Sequence, residues 1–361
     1  MKKISCFIPN LCGGGAERAA INMLKGMQKR NISVDLVLAS ESGAYLNQVP
    51  KQIRIVNLGV GRTIKAILPL SDYLKKEKPD ALVSHMGHAN VVAVLAKELS
   101  RTGTKLVLVE QNTVSQEKSP LFRGRFVPLF MKWLYPRANA VVGVSKGVAE
   151  DLERQLVLPT GSVSVIYNPV VGDELAAKAK TSLDHPWFQA GSPPVFLAVG
   201  RLTEQKDFPT LIEAFALLRK ERLARLLILG EGESRLELEK KINLLGIAED
   251  VSLPGFVDNP FAYMHHANAF VLSSRWEGLP TVLIEAMACT CPVVSTDCPS
   301  GPNEILEAGK YGILVPVGDV EKLAKGMQEV LDNPPEKEML MRRSEMFTVN
   351  SSVDKYLTVI G

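Results

Sequence analysis

The chain has 361 residues, 46% hydrophobic and 22% charged, with a net charge of +3 at pH 7. That length predicts two domains, and the composition excludes a disordered chain. Five cysteines without zinc-type spacing fit neither a disulfide framework nor a metal ribbon. The N-terminus lacks the apolar run of a signal peptide, and no stretch approaches about 18 uninterrupted apolar residues. The expectation is a cytoplasmic protein with reduced thiols.

The apolar run ISCFIP opens the chain and leads into CGGGAERAA, Cys12 to Ala20. Three glycines after a strand suit a backbone that passes close to a phosphate. The spacing is nevertheless not G-x-G-x-x-G, and Glu17 stands where a dinucleotide loop avoids a carboxylate. SVDLVLA, IRIVNL, DALVSH, KLVLVE, AVVGVS and VSVIYN follow as strands, with amphipathic stretches such as ERAAINMLKGMQKR between several of them. This is the pattern of a parallel sheet wrapped by helices. His85 and His88 at the end of DALVSH admit two readings, metal ligands or hydrogen-bonding groups, and the second is adopted.

Residues 1–170 carry 23 Lys and Arg against 12 Asp and Glu, a balance of +11, whereas residues 171–361 carry 19 against 27, a balance of −8. A basic half suggests an anionic partner. Within it, Pro120 to Ala140 interleaves Arg123, Arg125, Lys132 and Arg137 with Phe122, Phe126, Phe130, Trp133 and Tyr135. Such a segment either lies on an anionic membrane surface or packs its apolar face on its own sheet.

Near Asn168 the alternation breaks into an irregular stretch with prolines and glycines, read as a linker over 171–194. A second alternating series begins with VFLAVG and continues through ARLLILGEG, VSLPGF, NAFVLSS, PVVSTD and GILVPV. Two doubly wound domains in tandem, with the cleft between them as the site, are the most economical architecture.

Chemistry concentrates in the second series. In SSRWEGLPTVLIEAMA, Glu277 lies in a loop and Glu285 about one turn into the following helix, both at the carboxyl end of a strand. Backbone N–H groups of Gly278 to Thr281 form a ready anion site. In VGRLTEQKDF, Arg201 and Lys206 follow a strand and suit the neutralisation of a diphosphate leaving group. Gly230 and Gly232 permit close backbone approach, and the loop from Leu253 to Asn259 suits a nucleobase.

Taken in order, R-x4-K, G-E-G, P-G-F, E-x7-E and P-S-G-P-x-E-I-L resemble the family-4 retaining glycosyltransferases of the GT-B fold, over nearly the whole chain. The resemblance implies an α/β protein of two Rossmann-like doubly wound domains facing each other across a cleft. The acceptor-binding domain would be 1–170 and the nucleotide-sugar domain 195–345, with a C-terminal helix in 346–361 packing back on the first. It implies transfer of a hexose or N-acetylhexosamine, with retained configuration, from a UDP-sugar to a glycan acceptor carried on a polyprenyl diphosphate. Arg201, Lys206 and Glu277 are the implied catalytic residues, with the two cations on the diphosphate and Glu277 on the donor sugar. Glu285 would hold the ribose hydroxyls, and the backbone of Gly278, Leu279, Pro280, Thr281 and Val282 the sugar and phosphates. Gly14, Gly15, Gly200, Gly230, Glu231, Gly255, Phe256 and Val257 complete the donor set. Arg18, His85, His88, Gln111 and Asn112 are the acceptor-side candidates.

Two positions depart from the family pattern. Gln111 stands where relatives often have histidine, which puts any scheme with a histidine base in doubt, because an amide takes no proton near neutral pH. Thr290 stands where relatives usually have glycine, and a local packing change is expected there. No D-x-D occurs, so no essential metal and no cofactor are expected, and a nucleic-acid partner lacks a recognisable module. The alternatives are a sugar-nucleotide epimerase of the same architecture, disfavoured by the shortage of histidines, or a transferase acting on a soluble or protein acceptor.

Overall fold

A computed structural model describes residues 2–116 and 127–361. The chain divides into two compact units, one of residues 1–170 with 347–361 and the other of residues 171–346.

The first unit runs β1 (Lys3–Ile8), α1 (Gly15–Gln28), β2 (Ser33–Leu38), β3 (Arg54–Asn57), α2 (Ile67–Glu77), β4 (Ala81–His85), α3 (Gly87–Ser100), β5 (Lys105–Glu110), α4 (Val127–Leu134), β6 (Ala140–Gly143), α5 (Lys146–Leu156) and β7 (Val163–Val165). Its seven strands pair in parallel in the order β3-β2-β1-β4-β5-β6-β7. Central strands such as LVLV of β5 are buried throughout, which is why they read as unbroken apolar runs.

The second unit runs α6 (Asp173–Ala179), β8 (Val195–Val199), α7 (Phe208–Glu221), β9 (Arg225–Leu229), α8 (Arg235–Leu244), β10 (Val251–Gly255), α9 (Pro260–His266), β11 (Ala269–Leu272), α10 (Thr281–Ala288), β12 (Val293–Thr296), α11 (Pro302–Leu306), β13 (Ile313–Val315), α12 (Val320–Asp332) and α13 (Lys337–Ser344). Its parallel sheet is ordered β10-β9-β8-β11-β12-β13. Phe196, Phe215, Leu226, Val271 and Met327 lie at the centre of its core.

In both sheets the strand order reverses beside the first strand of the unit, between β1 and β4 and between β8 and β11. At such switch points the loops leaving the carboxyl ends of the two strands diverge and open a crevice for ligand.

One boundary differs from the sequence reading. The stretch 171–194 is built into the second unit: Asn259 Nδ2 donates to Lys178 O and Thr181 Oγ1 at 2.9 Å each. His185 and Phe188 pack edge-on against Tyr263. Turn-forming residues had marked this stretch as a connection, while its aromatics anchor it. At the other end, α14 (Val349–Ile360) belongs to the first unit. Gly26 of α1 leaves the space that Val349 and Val353 enter, where a Cβ would come within 2.5 Å of a Val349 methyl. Ser352 Oγ donates to Tyr167 O at 2.8 Å.

Candidate active site

In the second unit, the loops after β8 and β11 meet because these strands are neighbours. Lys206 Nζ lies 2.5 Å from Glu277 Oε1, and Ser274 Oγ donates to the same oxygen at 2.6 Å. Both charged side chains are largely buried, so their attraction is weakly screened. The other two ammonium protons of Lys206 have no partner among the described residues.

The stem of the lysine packs closely over Gly200. A Cβ there would lie 3.2–3.4 Å from Lys206 Cγ, Cδ and Cε, the stem of the lysine itself. Asp207 next to it is buried in the left-handed region, at φ +46°. It accepts from Thr210 Oγ1 at 2.9 Å and pairs with Arg275 Nε at 3.1 Å. Ser273 Oγ donates to Lys206 O at 2.7 Å, and Arg275 N donates to Gln205 O at 2.8 Å. Strain at one residue is thus held by several bonds, the usual condition for a persistent unfavourable φ. Arg201, in the same loop, is exposed, and its guanidinium has no partner among the described residues.

Beyond Glu277, the chain passes Gly278 and Leu279 to Pro280, the N-cap of α10. No side chain caps this helix and no acidic residue lies in its first turn, so its positive end is available to an anion. Ser300 Oγ donates to Gly278 O at 2.9 Å and steadies the loop. Glu285 is buried in the second turn of α10. At the far end of α10, Thr290 has φ +61°, a conformation that glycine adopts freely and a β-branched residue does not. The departure at Thr290 is therefore one of backbone conformation, where sequence reading expected a change of packing.

The loops after β9 and β10 are tied to this rim. Gly230 N donates to Gly255 O at 2.8 Å, and Leu202 N to Glu231 O at 2.9 Å. Gly230, at φ +139°, sits where a Cβ would overlap Gly200 O, at 2.0 Å. The close approach it permits is thus to the protein's own chain. Glu231 forms a two-pronged pair with Arg235, at 2.9 and 2.7 Å, and that guanidinium holds its carboxyl below the usual carboxylate range. Phe256 is 48% exposed, an accessible aromatic face beyond the strand end, with Val257 half-buried beside it.

In the first unit, Gly14 is the N-cap of α1. The buried Glu17 folds back over it, with Oε2 2.5 Å from where a Cβ of Gly14 would stand. A carboxylate at the third helical position reaching back to the N-cap is one half of a capping box. Gly15 is exposed beside it. Arg18 stacks on Tyr45, 5.0 Å from the ring centroid, and donates to its hydroxyl at 2.7 Å.

His85 ends β4 and Gln111 follows β5, its neighbour. Gln111 Nε2 lies 3.1 Å from His85 Nδ1 and 3.4 Å from Asn168 Oδ1, while Asn168 Nδ2 donates to Gln111 Oε1 at 2.9 Å. All three side chains are buried, and burial pushes the His85 pKa down to about 4. Behind them the buried Glu110 carboxylate accepts from Tyr135 Oη and from Asn90 Nδ2, the latter at 2.8 Å. Asn112 is half-buried and His88 exposed. Ser274, Asp207, Arg275 and Asn168 were not singled out from sequence. Asp207 adjoins Lys206 and Ser274 lies three residues before Glu277, which is the local signal they offered.

A cavity of about 790 Å³ opens elsewhere in the first unit, at the amino-terminal ends of β4 and β5, lined by Lys2, Lys78, Asp80, Arg101 and Lys105 among others. Lys78 and Arg101 are the C-caps of α2 and α3. Cations there offset the negative ends of those helices, so the cavity has a structural explanation and stands apart from the loops above. Among the described residues no cluster of three or more His, Cys, Asp or Glu is placed to hold a metal, and no helix is long and apolar enough to cross a membrane.

The family models for glycosyl transferases group 1 and glycosyltransferase family 4 match residues 181–346 and 13–173, respectively. A Campylobacter jejuni N-acetylgalactosamine-N,N'-diacetylbacillosaminyl-diphospho-undecaprenol 4-alpha-N-acetylgalactosaminyltransferase is 30% identical over 344 residues, 92% of this chain and 91% of that protein. The chain is a glycosyltransferase of group 1 and family 4. A second Campylobacter jejuni enzyme, a GalNAc-alpha-(1->4)-GalNAc-alpha-(1->3)-diNAcBac-PP-undecaprenol alpha-1,4-N-acetyl-D-galactosaminyltransferase, is 27% identical over 376 residues, 100% of this chain and 99% of that one. Solved structures show the glycosyltransferase to have the GT-B fold. The lipopolysaccharide outer core galactosyltransferase WaaB superposes with a TM-score of 0.74 at 21% identity, covering 99% of each chain. Anabaena Alr3699/HepE in complex with UDP-glucose superposes with a TM-score of 0.81 at 22% identity, covering 99% of this chain and 100% of that one.

Proposed function

We propose that this glycosyltransferase moves a hexose or N-acetylhexosamine, with retention, from a UDP-sugar to a glycan on a polyprenyl diphosphate, in cell-surface polysaccharide synthesis. The observation that carries the reading is the Lys206–Glu277 pair beside the bare N-terminus of α10. Breaking the bond between the sugar C1 and the diphosphate leaves negative charge on the departing oxygens. Electrostatic stabilisation of that charge is therefore the dominant catalytic need. Lys206 and Arg201 supply two positive charges without a metal, and the N–H groups of Gly278, Leu279, Thr281 and Val282 supply dipoles. Glu277 holds Lys206 in place and faces the donor sugar; Glu285 takes the ribose hydroxyls, and Phe256 lies against the base. On the acceptor face, the acceptor oxygen bonds to C1 as the diphosphate leaves, and its proton passes to a diphosphate oxygen.

The Campylobacter relatives named above support the acceptor class and the UDP-glucose complex supports the nucleotide. Membrane contact rests on α4, where Leu129, Phe130 and Trp133 are 53%, 55% and 70% exposed beside Lys132 and Arg137. Phe122, Arg123, Arg125 and Phe126 of the same segment lie outside the described residues. A panel of UDP-, GDP- and ADP-sugars, read by thermal shift and nucleotide release with and without anionic vesicles, tests the reading. The expected result is stabilisation and UDP release with one UDP-sugar and co-sedimentation with the vesicles. Preference for a GDP- or ADP-sugar overturns the donor class, and absence from the vesicle pellet overturns the membrane contact.

A further inference from the structure

Among the described residues the Nε2 of His85 has no hydrogen-bond partner, although the residue is 1% exposed. Buried polar atoms are overwhelmingly paired, and each exception calls for an account. Its other nitrogen settles its chemistry. Gln111 Nε2 only donates, so His85 Nδ1 accepts, and the imidazole proton sits on Nε2. Gln111 is in turn oriented by Asn168, which donates to its oxygen. The amide of Gln111 is thereby engaged on both its atoms within the protein. Thr113 Oγ1, two residues further along the same loop, is a second buried polar atom without a partner among the described residues. The cluster lies at the carboxyl ends of β4 and β5, on the ligand-binding side of the first switch point.

We propose that His85 donates its Nε2–H to a hydroxyl oxygen of a sugar substrate, and that Gln111 and Asn168 are positioning residues that fix its tautomer and ring orientation. A sugar hydroxyl, and not a phosphate, suits the site because the ring is held by a neutral amide, Gln111, which is itself held by the neutral amide of Asn168. A neutral N–H beside neutral partners recognises an uncharged oxygen without leaving a charge to be offset. This rests on the glycosyltransferase activity and is independent of which nucleotide the donor carries.

The test compares His85→Asn, His85→Gln, Gln111→Met and the His85→Asn/Gln111→Met double variant with the wild type. Each is assayed with whichever nucleotide-sugar and acceptor the wild-type protein uses, and KM for each substrate is separated from kcat. A donor other than a UDP-sugar would overturn the earlier reading while leaving this comparison intact. Asn places its polar atoms where Nδ1 was and lacks anything at Nε2; Gln restores a donor there. Expected are a tenfold or larger rise in one sugar substrate's KM for His85→Asn and recovery to within about threefold for His85→Gln. Gln111→Met should give a smaller rise of the same KM, and the double variant should be no worse than His85→Asn alone, as coupled residues behave. Thermal midpoints are measured alongside. Unchanged KM values in folded His85→Asn assign Nε2–H to a buried water and overturn the proposal. Equal impairment of His85→Asn and His85→Gln, or additive losses in the double variant, overturn it too.

Discussion

Two glycine-bearing loops feed helices at the two switch points, and their helix ends are treated in opposite ways. At α1 the protein's own Glu17 folds over Gly14 and faces the positive end of the helix. At α10 no side chain caps the end and no acid lies in the first turn. The surroundings follow suit. The second unit carries a lysine–carboxylate pair in the loops after β8 and β11, with an arginine that has no partner among the described residues, whereas the first carries an imidazole and two amides in the loops after β4, β5 and β7. An anion therefore finds its charge complement on the second unit. On the first unit, Gly13 to Gly15 offer close backbone approach, while most of the helix dipole is already answered by Glu17.

The largest expected effect tests the charged side. Lys206→Ala should lower kcat on the order of 10²–10³-fold, the scale for removing one preorganised donor to a developing negative charge. Glu17→Ala should leave kcat within a few-fold, and comparable losses in both would erase the distinction between the two helix ends. A second test addresses the neutral cluster. The His85 pKa lies near 4 when folded and near 6.5 when unfolded, so between those values the unfolded state binds more protons and stability rises with pH. The contribution is complete above pH 6.5 and is lost as pH falls through about 4, at most about 3 kcal/mol for a shift of that size. Denaturant titrations from pH 7 to 4 should show it, and His85→Asn should flatten the dependence; identical slopes would mean the ring is not held neutral. The smallest effect concerns the cap. Glu17→Ala should destabilise the protein by about 1 kcal/mol, as loss of a helix-end carboxylate does, and an unchanged denaturation midpoint would show that α1 is as open as α10.

Of the candidate site, the pairing partners Lys206 and Glu277 were legible as charged groups from residues alone. Arg201, Lys206, Glu277 and Glu285 stood out because charged groups after apolar β-runs fall at strand ends, where a parallel sheet presents its ligands. The stretch 171–194 misled, since prolines and glycines mark turns whether or not the segment then docks; only contacts such as those of Asn259 with Lys178 and Thr181 showed that it does. Gln111 was legible as a departure from histidine but not as the partner of Asn168, 57 residues away. Thr290 was noticed by its identity, while its φ of +61° belongs to the folded backbone.

The sequence by itself determined the thirteen strand-forming runs and hence two parallel sheets, because a strand buried on both faces must be apolar along its length. Only the tertiary structure decided which loops meet. Lys206 reaches Glu277 across 71 residues because β11 pairs with β8 and not with the strand before it. Strand order of that kind is a non-local choice of packing and pairing that no local run of residues encodes; it brings Lys206 to Glu277 within the second unit and, separately, His85 to Gln111 within the first.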